Sequence, residues 1–288
     1  MTQRVLILGA NGKIGRHSAA AFKAAGWEVR TYNRKTDNMT KAAQGCDVIV
    51  NGMNPPNYHN WKEIIPQITA NVIEAAQQSG ATVILPGNVY HFGDQLGLWS
   101  ETTPPQPVSV KGRIRLEMEQ AYAASGVQTI VLRAGNFMDP DHSDCVMSQI
   151  YLRKIASDKI TLPGPADTRQ AMCFLPDWAR AAVALADMRD SLGVFEDIPF
   201  EGHTLSAQDI KNGIEPILKR DLAFTPFPWW IFRITSPVWE LARELNEMRY
   251  LWRTDHALSG KRIQELLPDF QITPLDDVLR QISSTAAR

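Results

Sequence analysis

Gly9-Ala10-Asn11-Gly12-Lys13-Ile14-Gly15 follows the apolar run Val5-Leu6-Ile7-Leu8 and opens a helix-like segment, Ile14 to Ala25. Strand, glycine turn and helix in that order give a Gly-x-x-Gly-x-x-Gly run its meaning. Gly9 makes the tight turn, Gly12 leaves a pyrophosphate room to approach the backbone, and Gly15 lets helix and strand pack closely. The helix N-terminus adds unpaired N–H groups and a positive dipole end. The stretch reads as a dinucleotide site formed by Gly9, Asn11, Gly12, Lys13, Ile14 and Gly15; the alternative is a tight turn without a ligand.

The next segments repeat the strand–helix alternation of a doubly wound α/β fold. Strand two, Glu28 to Tyr32, ends in Asn33-Arg34-Lys35. A carboxylate at that end would accept from the 2′-hydroxyl of NAD, whereas cations suit the extra phosphate of NADP. Arg34 and Lys35, with Asn33, favour NADP, with NAD as the alternative. Further strands are read at Asp47–Val50, Thr82–Leu85 and Thr129–Leu132. Asn51-Gly52-Met53, Pro86-Gly87-Asn88 and Asn136 follow their ends, on the side where an open parallel sheet forms its ligand crevice. Helices are read at Trp61–Ala76 and Arg113–Ala124. Beyond Asp139 the alternation fades: one helix over Val146–Ala156, a helix over Asp177–Asp187, a strand over Gly193–Ile198, then helices at Leu205–Lys219 and Gly260–Leu267. This order suggests a dinucleotide-binding domain at 1–139 plus 177–201, with a smaller α/β substrate lobe at 140–176 and 202–288. His142, Ser143, Asp144 and Arg169 fall in that lobe.

Bulk properties narrow the function class. The 288 residues carry a net charge of −1, which gives no case for nucleic acid. The three cysteines, Cys46, Cys145 and Cys173, are odd in number and far apart, which fits free thiols in the cytoplasm. No Cys/His spacing resembles a metal site, and no signal peptide is expected. The Trp-rich stretch Thr225–Ala242 holds Pro226, Pro228, Pro237, Arg233 and Glu240, too broken to span a bilayer. It reads as a lid or interface segment, with a membrane-touching surface helix as the alternative.

Four stretches resemble the extended and atypical short-chain dehydrogenases, the group of NAD-dependent epimerases and dehydratases. They are Gly9–Gly15, Val89-Tyr90-His91-Phe92-Gly93, Leu132–Phe137 and Phe174-Leu175-Pro176-Asp177-Trp178-Ala179-Arg180. The stretch Pro268–Leu279 is similar to the family's closing helix. The resemblance implies a Rossmann fold, a nicotinamide dinucleotide, a small-molecule substrate, and a monomer or a homodimer paired through helices such as 61–76 and 113–124. Two departures stand out. Between Asn33 and Asp47 the chain is too short for the family's third strand and its helix, so strand two should lie at the sheet edge. The family's chemistry also rests on Tyr-x-x-x-Lys plus Ser or Thr, but here Lys111, Arg115 and Pro86 occupy those places. Tyr58-His59-Asn60-Trp61-Lys62 has the spacing after the wrong strand and reads as chance.

Two functions remain open. One is an NADP-dependent oxidoreductase or epimerase with a rebuilt acid. Lys111, crowded by Arg113, Arg115 and an oxidised nicotinamide, would give up its proton more readily. Arg115 would hold a substrate anion, and Tyr90 is a second proton donor. The other is a non-catalytic NADP-binding redox sensor or assembly protein, which needs only the cofactor site.

Overall fold

The computed structural model describes residues 2–142 and 144–286; Ser143 lies outside them. Its centre is a six-stranded parallel sheet of β1 (Arg4–Leu8), β2 (Glu28–Tyr32), β3 (Val48–Asn51), β4 (Thr82–Gly87), β6 (Thr129–Arg133) and β10 (Phe195–Pro199). The spatial order is β2-β1-β3-β4-β6-β10. Strand two is the edge, as the short connection to Asp47 requires, and β2 is only partly buried. The order reverses between β1 and β3, which places a switch point beside the glycine turn.

Alternation along the strands builds both faces. Val5, Ile7, Val48, Val50, Ile84, Ile130 and Leu132 face α1 (Lys13–Ala24) and α5 (Leu175–Asp187), joining Ile14, Phe22 and Trp178. Leu6, Leu8, Ile49, Val83, Leu85 and Val131 face the other way. They meet Ile65 and Val72 of α3 (Trp61–Ser79), and Ile114 and Met118 of α4 (Val110–Ala124). The short α2 (Met39–Ala43) covers the same face. Trp178 Nε1 donates to the carbonyl of Leu132 at 3.0 Å and ties α5 to β6.

The later chain departs from the sequence reading. The helix expected over 146–156 is one wide turn at Met147–Tyr151, in which Leu152 N–H reaches back to Met147, followed by a tight turn at Ile155–Ser157. Short strands unread in the sequence pair around it. They are β5 (Gly97–Trp99), β7 (Asn136–Met138), β8 (Lys159–Leu162), β9 (Gln170–Phe174), β11 (His203–Leu205), β12 (Ala223–Pro226) and β13 (His256–Leu258). α6 (Ala207–Leu218) and α10 (Leu275–Ala286) enclose a separate core with Ile160, Met172, Ile210, Val278 and Ile282. The closing helix therefore starts seven residues after Pro268. α7 (Trp229–Thr235), α8 (Glu240–Glu247) and α9 (Lys261–Leu266) complete the chain. No described helix is long and apolar enough to cross a membrane.

Candidate dinucleotide and active site

The glycine turn has the geometry its spacing implies. Gly9 sits at φ +74°, and a Cβ there would lie 2.9 Å from the carbonyl oxygen of Gly52. A Cβ on Gly15 would fall 2.2 Å from the oxygen of Gly9, so strand and helix meet at hydrogen-only distance. Gly12 differs: a Cβ would meet only the Gly9 oxygen, at 3.3 Å, and would otherwise point into open space. Gly12 caps α1 without a side-chain hydrogen bond, and the first turn holds no acidic residue. The uncapped N–H groups, with exposed Asn11 and Gly12 beside them, suit an anion. Lys13 Nζ donates to the carbonyl of Asp144 at 2.7 Å, and Arg16 pairs with Asp139 at 2.9 Å. The loop after β7 is thereby held against α1.

At the end of β2, the Asp37 carboxylate accepts from Asn33 N–H and Thr36 Oγ1, each at 2.8 Å. These bonds hold the Asp37 carboxyl below its usual range. Asn33 Oδ1 accepts from Lys35 N–H at 3.1 Å. Arg34 and Lys35 are exposed, and neither forms an ion pair among the described residues.

Further along the crevice, several candidate side chains have protein partners. Asn51 donates to Tyr122 Oη at 3.2 Å and accepts from Met53 N–H at 3.2 Å. Asn88 Oδ1 accepts from Tyr90 N–H at 3.0 Å, and Asn136 donates to Gln170 at 3.0 Å. Gly87 abuts Val131 and Arg133, and Pro86 lies within β4. Gly52, Pro86 and Gly87 offer backbone and space rather than side-chain contacts.

Lys111 is buried at 2% exposure, just after the Ser109 cap of α4. The like charges expected around it are not its neighbours. Arg113 is exposed, and Arg115 turns to Asn54 Oδ1 at 2.8 Å and to the Trp61 ring at 4.7 Å. Lys111 Nζ instead donates to Glu244 and Glu247 of α8. It also lies 5.3 Å from the centre of the Tyr58 ring. Two carboxylates therefore face Lys111 where three positive charges were expected. The sequence reading missed both. Glu240, Glu244 and Glu247 share one helical face by their spacing, and that was the available signal.

Tyr58 belongs to the same cluster. Its hydroxyl lies 3.0 Å from that of Tyr90, and burial pushes its phenol well above the usual range. Its backbone is left-handed at φ 60°, between Asn57 at 53° and Asn60 at 44°. A bulky residue in that region costs about 1–2 kcal/mol, so the loop is over-determined by its contacts. Lys62 is exposed and apart from this cluster, so the Tyr58–Lys62 spacing has no counterpart in contact.

An ionic group centred on buried Arg133 joins the end of β6 to β10, α4 and the turn after β4. Arg133 pairs with Glu119 at 2.8 Å and Asp197 at 2.7 Å, and donates to His91 Nδ1 at 3.1 Å. Burial, with the Arg133 charge, pushes His91 down to about 3, so it is a neutral acceptor rather than an acid. His59 pairs with Glu240 at 2.8 Å, and His142 is exposed. His17, Asp139 and Asp141 form a second cluster of ligand-type groups, as His91, Glu119 and Asp197 do. In each an arginine guanidinium, Arg16 or Arg133, already supplies the positive charge.

Residues 5–198 match the model of the NAD dependent epimerase/dehydratase family. The chain belongs to that family. Among solved structures, it is similar to MoeE5 in complex with UDP-glucose and NAD: 16% identity, TM-score 0.76, 98% of each chain covered. It is also similar to UDP-glucuronic acid 4-epimerase from Bacillus cereus in complex with NAD: 16% identity, TM-score 0.76, covering 99% of this chain and 96% of that one. A nucleoside-diphosphate-sugar epimerase from Staphylococcus aureus aligns at 19% identity and TM-score 0.69 over 97% of this chain and 100% of its own. No curated protein matches the sequence. Within the matched span the chain carries the Gly9–Gly15 turn, and its one Tyr-x-x-x-Lys run is Tyr58–Lys62.

Proposed function

We propose that the protein binds NADP(H) across the ends of β1, β3 and β4 and holds it without the family's tyrosine–lysine proton relay. Lys111, which the family resemblance aligns with the relay tyrosine, supports this reading: it is buried and its Nζ donates to Glu244 and Glu247. An epimerase or dehydrogenase needs a side chain there that can exchange a proton with a hydroxyl. A cation held by two carboxylates does not serve that role while α8 stays in place. The reading is that of a dinucleotide-responsive binding protein, acting in the cytoplasm as a redox sensor or assembly factor.

Three features support the cofactor. The Gly12 side of the turn is open, and among the described residues Arg34 and Lys35 form no ion pair and the buried Arg115 Nε has no acceptor. Arg115 stands where the family's lysine would be, so a ribose hydroxyl is a fitting acceptor for it. Bound there, the nicotinamide would supply a hydride donor or acceptor. Tyr90 and Lys111 would line its far end, and Arg34 and Lys35 its adenosine end.

A second reading, an oxidoreductase acting on a small carbonyl or hydroxyl substrate, is favoured by the Tyr58–Tyr90 hydroxyl pair at 3.0 Å. Absorbance at the reduced nicotinamide band decides between the two. NADPH should stay unoxidised with carbonyl and nucleotide-sugar substrates. Turnover that disappears in Tyr90→Phe or Lys111→Met would instead establish the oxidoreductase.

A further inference from the structure

The Trp-rich stretch presents five of the ten exposed large apolar side chains among the described residues. Trp230, Ile231, Ile234, Val238 and Trp239 are 63%, 37%, 68%, 91% and 44% exposed. No residue of α7 is buried. These side chains stand on an ordered base. Phe227 packs against Trp229 at 4.6 Å and Phe232 at 5.1 Å, and Phe232 stacks on Trp239 at 5.6 Å. Trp229 Nε1 donates to Pro163 at 2.7 Å, and Asn246 donates to the Phe232 carbonyl at 2.8 Å. A patch this apolar on a fixed base marks a contact surface.

Its rim is cationic. The Arg153 guanidinium lies 5.3 Å over Phe227 and that of Arg249 lies 5.1 Å over Trp229. Arg233 projects from α7 itself. None of the three pairs with a carboxylate among the described residues, and Arg249 Nε is buried without an acceptor. The acids of neighbouring α8 have other partners: Glu240 holds His59, and Glu244 and Glu247 hold Lys111. The patch therefore combines tryptophans, aliphatic tips and unneutralised arginines.

We propose that this face seats the protein on the surface of an anionic phospholipid bilayer. Trp230, Ile234 and Val238 enter the acyl boundary, and Arg153, Arg233 and Arg249 meet headgroup phosphates. Protruding apolar tips with cations beside them suit a lipid surface better than a protein groove. The seven residues of α7 lie on the bilayer and do not span it.

Co-sedimentation of the full chain with phosphatidylcholine vesicles, with and without phosphatidylglycerol, tests this. The wild-type protein should pellet with the anionic vesicles and not with the neutral ones. The Trp230→Ser/Ile234→Ser variant should partition about tenfold less, and Arg233→Ser or high salt several-fold less. NADPH titration of each variant serves as the folding check. Failure to pellet with anionic vesicles, or pelleting that the double variant leaves unchanged, would overturn the proposal. So would analytical ultracentrifugation in which the double variant turns a lipid-free dimer into a monomer, since the patch would then join two copies of the chain.

Discussion

Lys111 is best understood as one member of a buried ionic cluster. Removing it by Lys111→Met leaves Glu244 and Glu247 facing each other near an apolar wall. Denaturant unfolding should report a loss of about 3 kcal/mol, the usual penalty for stranding charge in a broken buried pair. Cofactor affinity should stay close to wild type, because the glycine turn is untouched. Unchanged stability would mean that the α8 clamp is not formed in solution. His91 gives a second test at this scale. The folded protein keeps its imidazole neutral down to about pH 3, whereas the unfolded chain takes a proton near 6.5. The stability from the neutral ring is fully present above about pH 6.5. It falls with pH by up to about 1.4 kcal/mol per unit until the folded value is reached. His91→Asn, which keeps an acceptor for Arg133, should flatten the stability profile between pH 6 and 4. A profile as steep as wild type would assign the slope to the carboxylates instead.

Among the elements, the glycine turn predicts a contrast between two of its glycines, three positions apart. Gly15→Ala drives a methyl to 2.2 Å from the Gly9 oxygen, so β1 and α1 must separate. Thermal melting should show a loss of at least about 1–3 kcal/mol. The Cβ of Gly12→Val meets only one atom, at 3.3 Å, and the variant should change stability by less than about 1 kcal/mol. It should nevertheless abolish dinucleotide binding, because the new side chain occupies the open side of the turn. If both variants lose stability alike, Gly12 is a packing residue and not a cradle. α8 offers a third test. Its only buried residue is Ala242, so its hold on the crevice depends on Glu240, Glu244 and Glu247. Glu244→Gln with Glu247→Gln should speed proteolysis near residues 236–248 several-fold. Protection equal to wild type would mean that packing alone holds α8 down.

For the molecule as a whole, the sequence announces the sheet and not what closes over it. β1, β3, β4 and β6 are continuous apolar runs, and the glycine turn and the short 33–47 connection together dictate strand order and edge. Those signals are local. β5, β7, β8, β9, β11, β12 and β13 are three to five residues long and pair over long distances, so no period in the chain reveals them. The glycine-turn end of the candidate site was legible because backbone geometry demands glycine at Gly9 and Gly15. The other end was not, because its contacts come from α8, more than 130 positions from Lys111. The sequence raises residues 86, 111 and 115 as candidates, while only the fold brings Glu244 and Glu247 to Lys111.

In the proposed function, a dinucleotide carrying the extra phosphate binds at Gly9–Gly15 with Arg34 and Lys35 at its adenosine end. Parallel fluorescence titrations of wild type and Arg34→Ala/Lys35→Ala with NADPH and NADH test it most directly. The account predicts tighter binding of NADPH by the wild type, with that preference falling about tenfold in the double variant while NADH affinity barely moves. NADH binding as tight as or tighter than NADPH in the wild type would contradict it.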